Sequence, residues 1–263
     1  MTSPLPEPTL AESPDATAAP MGELVVKLEH VKKSFGTNHV LRGLSLELHK
    51  GENLVVLGRS GSGKSVLIKC LVGLVELDEG RVHILGQDVA GLPRAELLLL
   101  RRRIGFLFQS SALYDSMTVR ENLEFPLRRQ PGKRTAAELE ALVVEALQNV
   151  GLEAAMERLP AELSGGMRKR LGLARTLILK PEIMLYDEPT TGLDAITSKE
   201  ISKLILDVQR IYRTSSIIIT HDIDCARRTA NRIIVLQDGR CTAQGSFEEL
   251  ANAADPWTRS FFE

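Results

Sequence analysis

Nowhere does the sequence approach the roughly 18 consecutive apolar residues that a membrane span needs; the block Leu97-Leu98-Leu99-Leu100 is short and flanked by charge. Its beginning lacks the basic-then-apolar layout of a secretory leader. The two absences predict a soluble chain that stays where it is made, so any membrane role requires a partner to do the spanning. Cysteine is scarce, and Cys70, Cys225 and Cys241 show no paired spacing. That argues against a disulfide framework or a cysteine metal site, and the three are expected to be reduced, packed thiols. Charge of one sign is not in excess, with 33 Lys and Arg against 34 Asp and Glu and a net charge of −1. Neither half is strongly basic, which argues against nucleic acid as a partner. The basic clusters Arg101-Arg102-Arg103 and Arg168-Lys169-Arg170 are short, and the first reads as solvated helix surface. There is no internal repeat.

What is present suffices for a sizeable core: 263 residues, 43% of them hydrophobic, in one large domain or a domain with a lobe. Residues 1–22, with Pro4, Pro6, Pro8, Pro14 and Pro20, bury little apolar surface and are expected to be a disordered tail, leaving 23–263 as the folded domain. Strand patterns fall at 24–30, 40–48, 54–57, 81–85 and 104–108, and a helix at 94–103. Thr118-Val119-Arg120-Glu121 and Thr135-Ala136-Ala137-Glu138 read as capping boxes, so a helical lobe is placed at about 110–165. Continuous apolar runs then return at 183–186, 216–219 and 233–236, as expected of parallel strands buried on both faces. Thr197-Ser198-Lys199-Glu200 is expected to cap a helix between them, and Ser246-Phe247-Glu248-Glu249 a short last one. The layout predicts an α/β fold of the P-loop NTPase (RecA-like) class: a parallel core with an antiparallel β edge and an inserted helical lobe.

Three segments carry chemistry. Gly58-Arg59-Ser60-Gly61-Ser62-Gly63-Lys64-Ser65 reads G-x-x-x-x-G-K-S, with an apolar strand before it and a helix after. Glycines let successive N–H groups turn inward on phosphate oxygens, and the helix N-terminus adds its dipole. Lys64 is placed to reach the β- and γ-phosphates and Ser65 to ligate Mg²⁺. Asp187 and Glu188 end the strand at 183–186; Asp187 suits the metal and Glu188 the attacking water, although Asp-Glu-Pro also suits an ordinary turn. Leu163-Ser164-Gly165-Gly166-Met167 makes a second anion-receptive nest before a helix over 168–180, or a plain N-cap with a flexible turn.

In this order, the segments resemble the ATP-binding cassette (ABC) ATPase family across nearly all of residues 24–250. Leu163-Ser164-Gly165-Gly166 is similar to the family signature, Gln109 after Phe108 to its Q-loop, Asp187-Glu188-Pro189-Thr190 to its Walker B segment, Thr191-Gly192-Leu193-Asp194 to its D-loop, and His221 to its switch histidine. Phe35 stands where an aromatic stacks on adenine. Met167 replaces the usual glutamine and Phe35 the commoner tyrosine; neither removes a group needed for phosphate chemistry. The resemblance implies ATP and Mg²⁺ as cofactors and a head-to-tail homodimer. In it Ser164, Gly165 and Gly166 of one copy complete the γ-phosphate site of the other. Glu188, His221 and Gln109 become the catalytic set, and Ser65, Gln109 and Asp187 the metal set.

The stretch from Phe108 through Leu127, with Gln109-Ser110-Ser111-Ala112-Leu113 and Glu124-Phe125-Pro126-Leu127, resembles the ATPase subunit of Mla-type phospholipid transporters. So do the signature run ending Met167-Arg168-Lys169-Arg170 and the terminal 255–262. This implies an integral permease docking near 109–128, a lipid-binding substrate protein in the same system, and a peripheral place on the cytoplasmic face of the inner membrane. An importer ATPase for amino acids or another small solute is the alternative. A non-transport ABC ATPase of DNA repair or translation is disfavoured by the absence of coiled-coil arms, zinc cysteines and a second cassette, and a regulatory cassette by Glu188 and His221.

Overall fold

The computed structural model describes residues 22–262; the tail expected over 1–22 lies, but for Gly22, outside them. In chain order the elements are β1 (Leu24–Phe35), β2 (Asn38–His49), β3 (Asn53–Leu57), α1 (Lys64–Leu71), β4 (Glu79–Ile84), β5 (Gln87–Asp88), α2 (Arg94–Arg102), β6 (Ile104–Leu107), α3 (Val119–Arg128) and α4 (Ala136–Gln148). There follow α5 (Gly165–Leu177), β7 (Ile183–Asp187), α6 (Ala195–Tyr212), β8 (Ser215–Thr220), α7 (Ile223–Thr229), β9 (Arg232–Gln237), β10 (Arg240–Gly245), α8 (Phe247–Ala251) and α9 (Pro256–Arg259).

The uninterrupted apolar runs become the middle of a six-stranded sheet in the order β10-β9-β3-β8-β7-β6. Its strands are parallel except β10, which runs antiparallel to β9. Leu54, Val55, Val56 and Leu57 are fully buried because both faces are covered, each such side chain stabilising the fold by about 1.5–3 kcal/mol. A second sheet, β2-β1-β4-β5, is antiparallel and carries the alternating pattern. The core between the sheets also takes in Leu67, Ile68 and Leu71 of α1. The opposite face of the parallel sheet is covered by Leu173 and Leu177 of α5, Ile201 and Ile205 of α6, and Phe247. A third core joins Leu123 and Leu127 of α3 to Val143 and Leu147 of α4 and Leu171 of α5, so α5 serves two cores at once. Among the described residues no helix is long and apolar enough to cross a membrane.

Several local expectations are corrected. The helix after the signature starts at Gly165, not at 168, and ends at Leu177, because Ser164 caps it and the two glycines form its first turn. α6 is capped by Asp194, whose carboxylate accepts from the Ile196 and Thr197 N–H groups, not by the Thr197 box. A further short helix, α9, follows α8. The cluster Arg101-Arg102-Arg103 is not simply solvated. Arg101 donates to the carbonyls of Val72 and Gly73 at 2.8 and 2.9 Å, closing the end of α1, and Arg103 forks onto Glu182. The Thr118 and Thr135 capping boxes are both formed. The three cysteines are free, and burial pushes the thiols of Cys70 and Cys225 up to about 11.

Candidate active site

β3 ends at Leu57, and the chain then has to leave a buried strand and enter α1 within six residues. Glycine makes this feasible at two kinds of position. A Cβ on Gly58 would lie 2.6 Å from the Leu236 carbonyl, so nothing larger fits; Gly63 sits at φ +103° with Val40 against it. Gly63 is the N-cap of α1 and supplies no side-chain acceptor, and the first turn holds no acidic residue. The leading N–H groups of α1 therefore face the loop without a protein cap. The Ser62 hydroxyl is buried without a hydrogen-bond partner among the described residues. Ser60 and Gly61 form the exposed crest of the loop. Such a cradle of unsatisfied donors fits an anion.

Lys64 is buried and folds back over this loop. Its ammonium donates to the Gly58 and Arg59 carbonyls at 2.6 and 3.2 Å and lies 3.4 Å from a Glu188 carboxylate oxygen. Beside it the Ser65 hydroxyl donates to Asp187 at 3.3 Å. Burial pushes the Asp187 carboxyl above its usual range, with the Glu188 charge adding and the Ser65 hydrogen bond opposing. A hydroxyl and one carboxylate are hard oxygen donors, and Mg²⁺ is commonly held by one or two such groups together with substrate phosphates. Among the described residues no cluster of three His, Cys, Asp or Glu side chains could cage a metal without them. The residues therefore fit Mg²⁺ bound with a nucleotide.

Glu188 is the most constrained residue of the site. Its φ is +49°, a region that costs a side-chain-bearing residue about 1–3 kcal/mol. Its N–H donates to the Ile219 carbonyl at 2.9 Å. One carboxylate oxygen accepts from the His221 ring Nδ1 at 2.9 Å, from Thr191 at 3.1 Å, and from Thr220 and the His221 N–H at 3.3 Å. Burial acts to raise this carboxyl, but the His221 hydrogen bond, Lys64 and Thr191 outweigh it and hold it below the usual carboxylate range. The group is thus an ionised base at neutral pH. The His221 side chain is about half exposed at 50%, so the ring stands at the mouth of the site.

The structure brings together residues 58–65, Asp187, Glu188 and His221. Phe35 lies at the end of β1, 51% exposed, with the Lys33 ammonium 5.4 Å from its ring centre; an open aromatic face is available for stacking. Gln109 follows β6 and its side chain is exposed. Ser164, Gly165 and Gly166 are not joined to the P-loop by any hydrogen bond or ion pair among the described residues. Ser164 is exposed and its hydroxyl accepts from the Met167 N–H at 3.2 Å. Gly166 has a packing reason to be glycine, since a Cβ there would lie 2.5 Å from a Thr197 methyl. Sequence reasoning missed Thr191 and Thr220, which hold Glu188, and Lys169, which is buried against it. Lys169 recurs with Leu173 and Leu177 at helical spacing on the buried face of α5, and that period was a readable signal.

Residues 41–191 match the family described as ABC transporter. Protein TRIGALACTOSYLDIACYLGLYCEROL 3, chloroplastic, of Arabidopsis thaliana is 38% identical over 91% of this chain and 73% of its own length. The methionine import ATP-binding protein MetN of Brucella abortus is also 38% identical, over 96% of this chain and 67% of its own. Among solved structures, a dimeric ATP-binding cassette in a post-hydrolysis state bound to ADP and Pi superposes with a TM-score of 0.77 at 33% identity, over 84% of this chain and 98% of that one.

Proposed function

The chain belongs to the ABC transporter family as an ATP-hydrolysing cassette that uses ATP and Mg²⁺, and from that premise we propose that it powers phospholipid transport through a separate membrane permease. The observation that carries the catalytic part is the buried constellation in which Glu188 is held by His221, Thr191 and Thr220 while Lys64 faces it at 3.4 Å.

In this reading residues 58–65 and the N-terminus of α1 bind the phosphates, and phosphate oxygens replace the Gly58 and Arg59 carbonyls as acceptors for Lys64. Ser65 and Asp187 hold Mg²⁺, with Gln109 as a third contact. When bound, the ion supplies positive charge against the phosphoryl oxygens. Phe35 stacks on the adenine. Glu188 accepts a proton from the attacking water, and His221 keeps that carboxylate oriented while its ring edge meets the γ-phosphate. Ser164 and the Gly165 and Gly166 N–H groups of a second copy supply fixed donors at the same phosphate. That role suits the exposure of Ser164 and the absence, among the described residues, of any tie from the three to the P-loop of their own chain. Each such donor contributes about 2–4 kcal/mol to stabilising developing charge in other enzymes.

The lipid cargo rests on the resemblance of residues 108–127 and 255–262 to Mla-type ATPases and on a relative whose name contains a glycerolipid. The permease groove is assigned to 109–128, and the chain to the cytoplasmic face of the inner membrane, with a lipid-binding substrate protein in the same system. The methionine importers among the relatives favour the second reading, a small-solute importer. Co-expression with the neighbouring permease, purification and reconstitution distinguish them. ATP-dependent transfer of a fluorescent phospholipid between vesicles supports the lipid reading. Methionine-stimulated hydrolysis without lipid transfer supports the importer.

A further inference from the structure

One buried cation beside the site has no part in the reading above. Lys169 lies on α5, five residues after Ser164, and is 5% exposed. Burying an ammonium is unfavourable unless it is hydrogen-bonded and faces opposite charge. Lys169 meets both conditions. It donates to the Gln109 carbonyl at 2.5 Å and to the Glu188 carbonyl at 3.3 Å. Burial lowers its pKa, and the nearby charges of Asp187 and Glu188 oppose that.

Both contacts are to backbone, and each falls on a segment that needs holding. The Glu188 peptide sits in the left-handed region, tied on one side by its N–H to Ile219 and on the other by its carbonyl to Lys169. The Gln109 carbonyl opens a turn that passes through Ser111 at φ +62° and Ala112 at φ +47°. The same face of α5 grips that turn closely. A Cβ on Gly172 would lie 2.9 Å from the Ser111 Cβ, and Arg175 donates to the Ser111 carbonyl at 3.5 Å. One side chain thus joins three segments: the helix that begins with the signature turn, the turn carrying Gln109, and the strand end carrying Glu188.

We infer that Lys169 is a positioning residue for hydrolysis. Its ammonium fixes the Gln109 and Glu188 peptides relative to each other and ties both to the helix that carries Ser164, Gly165 and Gly166. It touches no substrate and acts through Glu188, so the inference rests on the role proposed for that carboxylate. A shift of α5 imposed by a second copy or by a permease is carried by this contact to the catalytic strand of the same chain.

The test is steady-state ATP hydrolysis by the full-length chain, with thermal melting of each variant. Lys169→Met is expected to lower kcat about tenfold or more while leaving KM for ATP within about twofold, since only alignment is lost. Lys169→Arg keeps charge and donors and is expected to return kcat to within about threefold of the parent. A Lys169→Met chain with parental kcat, or a Lys169→Arg chain as slow as Lys169→Met, overturns the inference, the second outcome by showing that only packing matters. Should Lys169→Met fail to fold, Lys169→Gln carries the test: it keeps an N–H donor in reach of one carbonyl. A reduced kcat at unchanged KM is then expected, and parental kcat is the contrary result. Glu188→Gln is measured alongside. If it is inactive while Lys169→Met is unaffected, only this inference fails; if Glu188→Gln hydrolyses normally, the assignment of the base fails.

Discussion

The P-loop and the signature turn both offer backbone N–H groups at a helix start, yet the chain treats them in opposite ways. Around residues 58–65 everything converges: Lys64 is buried, Ser65 meets Asp187, and Glu188 is held by four donors on its inner oxygen. Around residues 164–166 nothing converges. Ser164 is exposed, its hydroxyl only caps its own helix, and the glycines answer to Thr197 and Leu193. In the proposed function the first region is the phosphate site that one chain brings together, and the second is a set of donors whose complement lies on another copy. A phosphate site divided in this way would link hydrolysis to association, because the chemistry would wait on a second surface.

The largest expected effect lies in the first region. Glu188→Gln removes the proposed base and is expected to lower hydrolysis by about 10²–10⁴-fold, the usual share of general-base catalysis, while nucleotide binding persists; rapid-quench measurement of Pi checks it. Next comes the second region. Ser164→Ala keeps the P-loop intact, so KM for ATP is expected to change little while kcat falls by about 10²–10³-fold. Equal losses in binding and turnover would place Ser164 at its own chain's nucleotide instead. Phe35→Ala should raise KM by about tenfold, one base-stacking contact, with Phe35→Tyr close to the parent. Gly166→Ala separates structure from function within the signature. Its Cβ meets the Thr197 methyl, so a loss of about 1–3 kcal/mol in stability is expected by urea denaturation.

The smallest effect is pH-dependent. The Glu188 carboxyl is held below its ordinary 4.5 in the folded chain. Its contribution to stability is therefore present above about pH 4.5 and lost as pH falls through the lower folded value. The stability advantage of the parent over Glu188→Gln should shrink as pH is lowered from 7 toward 3, measured by urea denaturation at each pH. An advantage that grows on acidification would mean that the carboxyl is raised, not lowered.

Much of this was legible in the sequence because local pattern and tertiary role coincide. The glycines of the P-loop, the apolar runs of β3, β7, β8 and β9, and the capping boxes at Thr118 and Thr135 each have a local reason that the fold keeps. The misreadings occur where tertiary contact overrides local preference. Gly165 and Gly166 are poor helix formers, so local preference starts α5 at 168, yet the Ser164 cap and close packing on Thr197 draw them into the helix. β10 was missed because it is an edge strand with alternating partial exposure and little apolar content. Lys169 was hidden inside Arg168-Lys169-Arg170, where the composition reads as surface although the helical period points the middle residue inward. Arg101 shows the same thing, a charged side chain whose partners are carbonyls at the end of a distant helix.

The division of the phosphate site is tested most directly by solution mass. Light scattering on Glu188→Gln with ATP and Mg²⁺ should show the 28.9 kDa chain doubling in mass, and the same variant carrying Ser164→Arg as well should bind ATP yet stay at the mass of one chain. A double variant that dimerises as fully as Glu188→Gln, or a Glu188→Gln chain that binds ATP and never leaves the monomer mass, would contradict a site shared between two copies.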